Sequence, residues 1–175
     1  VLTGNGDGTF AVAMGYPSGD GAARLAVGRF DANDSLDLAV VNINENTVSV
    51  LLGDGLGAFA APAKYPTSSG PYAVAVGDFD GDGHSDLAVA NHAGTTISVL
   101  EGVGNGTFGP RVDYASGGSN PYHVVAADLN ADGRPDLVAA NYGNSKLGVI
   151  FNNGDGTFGT PVSYPAGGIA IGSVA

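Results

Sequence analysis

The chain has 175 residues, with 17 acidic against 6 basic side chains, a net charge of −11 at pH 7 and no cysteine. That balance disfavours nucleic acid and anionic membrane as partners, and it leaves the fold without disulfide staples. No apolar run approaches the roughly 20 residues of a membrane span, and no signal peptide is recognisable, as expected of a mature or excerpted chain.

Residues 1–23 read as a partial unit. Val1-Leu2-Thr3 resembles the end of a strand, and Gly4-Asn5-Gly6-Asp7-Gly8-Thr9 is a turn closed by Phe10. No helix follows this stretch, so it is a hairpin turn and not a phosphate cradle. Residues 24–71 form the next unit and carry the loop Arg29-Phe30-Asp31-Ala32-Asn33-Asp34-Ser35-Leu36-Asp37.

Residues 72–121 are the best-preserved unit. Strands are predicted at Tyr72 to Phe79, Asp86 to Asn91, Thr96 to Glu101 and Thr107 to Tyr114, with Asp, Asn, Gly and Pro clusters between them. Between the first two strands, Asp78, Asp80, Asp82 and Asp86 occupy positions 1, 3, 5 and 9 of one loop, and Gly83 occupies position 6. Four carboxylates this close repel one another by about 1 kcal/mol per pair at 4 Å in water, and by more near a protein surface. A hard dication with six to eight oxygen ligands removes that cost, and Ca²⁺ can take a further ligand from the carbonyl at position 7, here His84.

Residues 122–168 repeat the pattern with Asp128, Asn130, Asp132 and Asp136, and the Arg134 carbonyl at position 7. The side chains of His84 and Arg134 are expected to be solvated. The earlier loop keeps Asp31, Asn33, Ser35 and Asp37 but has Arg29 at position 1 and Asp34 at position 6, which marks a weak or lost site. There the Arg29 guanidinium is expected near the missing cation's place, paired with Asp31 or Asp37. About two structural Ca²⁺ per chain follow. The central loop lacks an EF-hand's closing glutamate, since its twelfth position is Val89. Residues 169–175 read as the first strand of a further unit.

Phe10, Phe59, Phe108 and Phe158 each close a Gly-rich turn, and Tyr16, Tyr65, Tyr114 and Tyr164 each follow six residues later. A period of 49 to 50 residues, with four strand-like runs and nothing helical in each unit, predicts an all-β fold of four-stranded antiparallel propeller blades. Runs such as Leu87-Ala88-Val89-Ala90 are apolar on both faces, as blades stacked face to face require. The four tyrosines are expected to pack between blades. About three and a half blades are present, too few to close a ring. The chain is therefore expected to be part of a longer polypeptide or, alternatively, one subunit of a ring assembled from several copies.

Gly77-Asp78-Phe79-Asp80-Gly81-Asp82-Gly83 followed by Asp86-Leu87-Ala88-Val89-Ala90-Asn91, and then Gly104-Asn105-Gly106-Thr107-Phe108, resembles the FG-GAP or VCBS repeat of integrin-alpha-type β-propellers. The resemblance covers essentially the whole chain. It implies a calcium loop between the first two strands of a blade, commonly seven blades to a ring, and a scaffold for adhesion or recognition that includes some fungal lectins.

Catalysis has little support in the sequence. His84, His92 and His123 fall in different loops or strands, and the clustered carboxylates are better metal ligands than an acid and base pair. The expected function is a non-enzymatic, calcium-stabilised recognition or adhesion module binding glycans or protein partners. Its alternatives are a lectin with repeated sugar sites between blades and the propeller of a polysaccharide-active enzyme, a lyase or a phospholipase. Ten of the 15 aspartates lie in the three loops, and the four positive charges of two dications would bring −11 to about −7. Calcium at extracellular concentrations fills weak sites, so a secreted or cell-surface location is expected. The face opposite the metal loops carries the accessible aromatics and amides, and the candidate ligand-binding residues are Tyr72, Asn91, His92, Tyr122, Asn141 and Tyr142.

Overall fold

Alternating small and β-branched residues, punctuated every five to eight positions by Gly, Asn and Asp, fold into short antiparallel ladders and almost no helix. The structure, a computed structural model, describes residues 1–167; the strand expected over 169–175 lies outside them. Its strands are β1 (Ala22–Gly28), β2 (Asp37–Asn42), β3 (Thr47–Leu51), β4 (Ala63–Pro66), β5 (Pro71–Gly77), β6 (Asp86–Asn91), β7 (Thr96–Leu100), β8 (Val112–Ala115), β9 (Pro121–Ala127), β10 (Asp136–Asn141), β11 (Lys146–Ile150) and β12 (Val162–Pro165). A single 3₁₀ turn, Tyr142–Asn144, joins β10 to β11.

The strands form three four-stranded sheets, each a simple meander in which sequence neighbours pair. The pairing is antiparallel throughout. Strand β5 packs against both β1 and β9, so the first strands of successive sheets line a common hub and the fourth strands lie outermost. The fold is thus a partial β-propeller of three blades. Before them, Val1 and Met14 exchange backbone hydrogen bonds and Phe10 bridges Gly4, a remnant of the same hairpin. No helix among the described residues is long and apolar enough to cross a membrane.

Two apolar layers hold the blades together. Val41, Val48 and Val50 of the first blade pack with Leu87, Val89 and Leu100 of the second. On the other face of the second blade, Ala88, Ile97 and Val99 pack with Val124, Leu137 and Ile150 of the third. All six residues of β6 are buried, which is why its sequence shows no polar face. Each fully buried Leu or Ile contributes about 1.5–3 kcal/mol relative to exposure.

Aromatic side chains lock successive blades in register. Phe108, in the turn after β7, meets Phe30 at 5.4 Å and Tyr65 at 5.3 Å, both edge to face and both from the preceding blade. Phe158 repeats this against Phe79 at 5.5 Å and Tyr114 at 5.2 Å. Tyr16 meets Phe59 in the same way at 5.3 Å. Tyr16, Tyr65 and Tyr114 therefore do pack between blades. Tyr164 is half-exposed, as is Leu129, which replaces the phenylalanine of the other two loops.

The fourth strand departs from the sequence expectation. It runs only over Val112–Ala115, not from Thr107. Phe108 instead closes the preceding hairpin through a bridge to Gly102, Gly109 N–H donates to the Glu101 carbonyl, and Pro110 has no N–H to give. The ladder restarts after these residues. Likewise β5 stops at Gly77, because the Phe79 N–H is taken by the Asp86 side chain.

Candidate functional site

The loop between the first two strands of each blade is built around its last aspartate. Asp86 is fully buried and accepts the Phe79 N–H at 2.6 Å on one oxygen and the Gly102 N–H at 2.7 Å on the other. Asp37 accepts Phe30 N–H and Gly53 N–H, each at 2.8 Å. Asp136 accepts Leu129 N–H at 3.0 Å and Asn152 N–H at 2.9 Å. In every blade this carboxylate ties the loop to the turn after the third strand, with or without a metal-type loop in front of it. Sequence reasoning assigned position 9 only to the cation, and the clamp is a second role.

In the central loop, ligand atoms of Asp78, Asp80 and Asp86 lie within 4.8 Å of one another. Asp78 accepts Gly81 N–H and Gly83 N–H, Asp80 accepts Asp82 N–H, and Asp82 accepts His84 N–H, so the backbone curls around the acidic group. Burial pushes the Asp86 carboxyl up to about 6, and the charges of Asp80 and Asp82 add to the shift against the pull of its two backbone donors. An ionised cluster that costs this much fits a hard dication, which would restore the charge balance.

The 128–136 loop has closely similar backbone contacts but not the same gathering. Asp128 accepts Asp132 N–H and Gly133 N–H, and the Gly133 bond leads in holding its carboxyl below the usual range. Its three aspartates are not drawn together within 4.8 Å. At position 3, Asn130 turns its amide to Asp132 at 3.0 Å. The Arg134 side chain does not simply point to solvent, since Nη1 donates to the Asn153 carbonyl at 3.1 Å. In the 29–37 loop, Arg29 pairs with neither Asp31 nor Asp37. Its Nε donates to the Asp34 carbonyl at 3.0 Å, while Asn33 Nδ2 bonds Asp31 and the Gly53 carbonyl. Asp34, at φ 59°, takes the left-handed turn that Gly83 and Gly133 supply at the same position of the other loops. Ser35 contributes its N–H to Asn33 Oδ1 at 2.7 Å.

At the opposite end of the hub, four of the six candidate ligand residues converge. The Tyr72 and Tyr122 rings lie 4.2 Å apart and their hydroxyls 2.6 Å apart. His92 stands 5.7 Å from Tyr72 and 5.4 Å from Tyr122, and Tyr142 stands 5.8 Å from Tyr122. Tyr142 is half-exposed, while His92 Nδ1 is buried with no hydrogen-bond partner. The Tyr122 bond is the main cause raising the Tyr72 hydroxyl's pKa. A fifth member, missed in the sequence, is Arg24 of β1, whose Cζ lies 5.2 Å from both tyrosine ring centres. Its charge, after burial, also lowers the pKa of His123.

The two asparagines do not join this group. Asn91 and Asn141 are fully buried inside their blades. Asn91 Nδ2 donates to Thr96 and Ser98 hydroxyls, and Asn141 bonds the Ser116 hydroxyl and carbonyl across the blade interface. Their repetition reflects a structural amide at the end of each second strand.

Comparison with known families matches the FG-GAP-like repeat to residues 29–89, 78–139 and 128–175. The chain belongs to the FG-GAP-like repeat family. Each matched segment begins at a metal-type loop, and the first two run past the next one, so the family repeat is the blade-to-blade unit. No curated protein matches the chain. Among solved structures, the FG-GAP-like chain is similar to an Agrocybe aegerita lectin that recognises non-reducing terminal N-acetylglucosamine, with a TM-score of 0.55 and 25% identity over 78% of this chain and 36% of the lectin. It also matches the Tc holotoxin pore of Photorhabdus luminescens, with a TM-score of 0.44 and 23% identity over 75% of this chain and 6% of that one. The chain thus spans about a third of the lectin's length.

Proposed function

We propose that this propeller region is a non-enzymatic glycan-recognition module of a secreted or cell-surface protein, stabilised by calcium in its acidic loops. The observation that carries the reading is the convergence of Tyr72, His92, Tyr122 and Tyr142 from two blades at one end of the hub, away from the aspartates. Aromatic rings offer apolar faces to a pyranose, and the tyrosine hydroxyls offer directed hydrogen bonds to its hydroxyls. The likeness to a lectin supports the choice of ligand class. The crowded carboxylates of Asp78, Asp80 and Asp86 support the choice of cation, with the His84 carbonyl and Asp82 completing the expected ligand set. A weaker second site is assigned to Asp128, Asn130, Asp132, Asp136 and the Arg134 carbonyl.

A glycan array probed in calcium tests the recognition reading. Binding to a defined set of sugars, lost in Tyr142→Ala with the melting temperature unchanged, is the expected result. A folded protein that binds no sugar overturns it.

A further inference from the structure

We infer that the hub-end site selects glycans carrying a carboxylate, with Arg24 as the specificity-determining residue; this rests on the glycan-recognition reading above. Arg24 enters the site from a third blade, on β1, and its guanidinium lies over both Tyr72 and Tyr122. Among the described residues no carboxylate lies within 4.0 Å of it; the ion pairs are Lys64 with Glu45 and Arg111 with Asp113. A cation over an aromatic face satisfies the ring quadrupole, and although one guanidinium N–H is directed to the Tyr72 side chain, an arginine has five donors and the others are not taken by any carboxylate. Those donors form a rigid fork that matches a carboxylate in geometry and charge.

The neighbouring groups complete a sugar acid's requirements. The two tyrosine hydroxyls share one hydrogen, so one hydroxyl hydrogen remains free to donate outward. The His92 ring packs against both tyrosines and backs the aromatic face. Half-exposed Tyr142 supplies the open aromatic face. The protein's net charge of −11 does not act against this, because ten of its 15 aspartates are in the three loops at the other end of the blades. At physiological salt, charges beyond about 8 Å are largely screened.

The test compares matched sugars by array and calorimetry in calcium: glucuronate-terminated against glucose-terminated oligosaccharides, and sialyllactose against lactose. Wild-type protein is expected to prefer the acidic member by about tenfold or more, with a preference that shrinks as salt is raised. Arg24→Gln should abolish the preference while retaining neutral-sugar binding, and Arg24→Lys should keep only part of it. Equal binding of acidic and neutral members by the wild type, or an unchanged preference in Arg24→Gln, overturns the inference and leaves the glycan reading standing. No binding of either member overturns both. If Arg24→Gln fails to fold, the wild-type ratio and its salt dependence decide.

Discussion

Asp37→Asn separates the backbone clamp from metal binding. Each Asp37 oxygen accepts one backbone N–H at 2.8 Å, from Phe30 and from Gly53, at a fully buried position. The amide keeps one acceptor and turns an NH₂ group toward the other donor. A buried unsatisfied donor costs about 1–3 kcal/mol, and the surviving bond loses its charge assistance, so a loss of about 2–3 kcal/mol is expected. For a chain of this size that is roughly 4–12 °C in melting temperature. Differential scanning calorimetry in EDTA and in millimolar calcium should give the same loss, since the 29–37 loop is not expected to hold the ion. Asp86→Asn makes the contrast. In EDTA its penalty is offset by removal of a costly buried charge, whereas in calcium the variant also forfeits a ligand and falls further. An Asp37→Asn protein that melts within about 1 °C of wild type would refute the clamp.

The same carboxylate sets a pH dependence. Asp86 titrates near 6 in the folded chain against 3.8 unfolded, so the metal-free fold binds the extra proton and its stability falls as pH rises through 6. Melts in EDTA should therefore rise between pH 7 and pH 5; calcium should cancel or reverse the trend, and a flat EDTA profile would count against the buried charge. Phe108→Ala, which empties the slot between Phe30 and Tyr65, should cost about 3–5 kcal/mol in urea unfolding, whereas Phe10→Ala at a mostly exposed ring should cost under about 0.5 kcal/mol. Calorimetric calcium titration is expected to show a site at Asp78 to Asp86 tighter than that at Asp128 to Asp136, and a third site of equal affinity at Asp31 to Asp37 would contradict the Arg29 contact seen here.

Much of the fold was legible because the repeat carries its own landmarks. The spacing of Phe10, Phe59, Phe108 and Phe158 marks the blades, and β6 occupies the residues expected of it, Asp86 to Asn91. The start of β8 was not legible, because Phe108 belongs by composition to a strand and by contact to the interface with the preceding blade. Asn91 and Asn141 were misleading for a related reason: an amide at a strand end reads as surface, yet burial there depends on Thr96, Ser98 and Ser116, which only the fold brings near. Arg24 lies in no motif. Aligning the units sets it against Ala73 and His123, and that departure is the one signal that could have found it.

The Tyr–Phe contacts also bear on mechanics. Strands β1, β5 and β9 join the blades at the hub, while Tyr65 and Tyr114, on the outer strands, grip the following blade through Phe108 and Phe158. Each blade is therefore fastened at two radii. Sheets attached only along the hub could fan apart like pages; fastened at both, they leave no hinge, and a load applied to one blade is passed to its neighbour as shear across the whole interface.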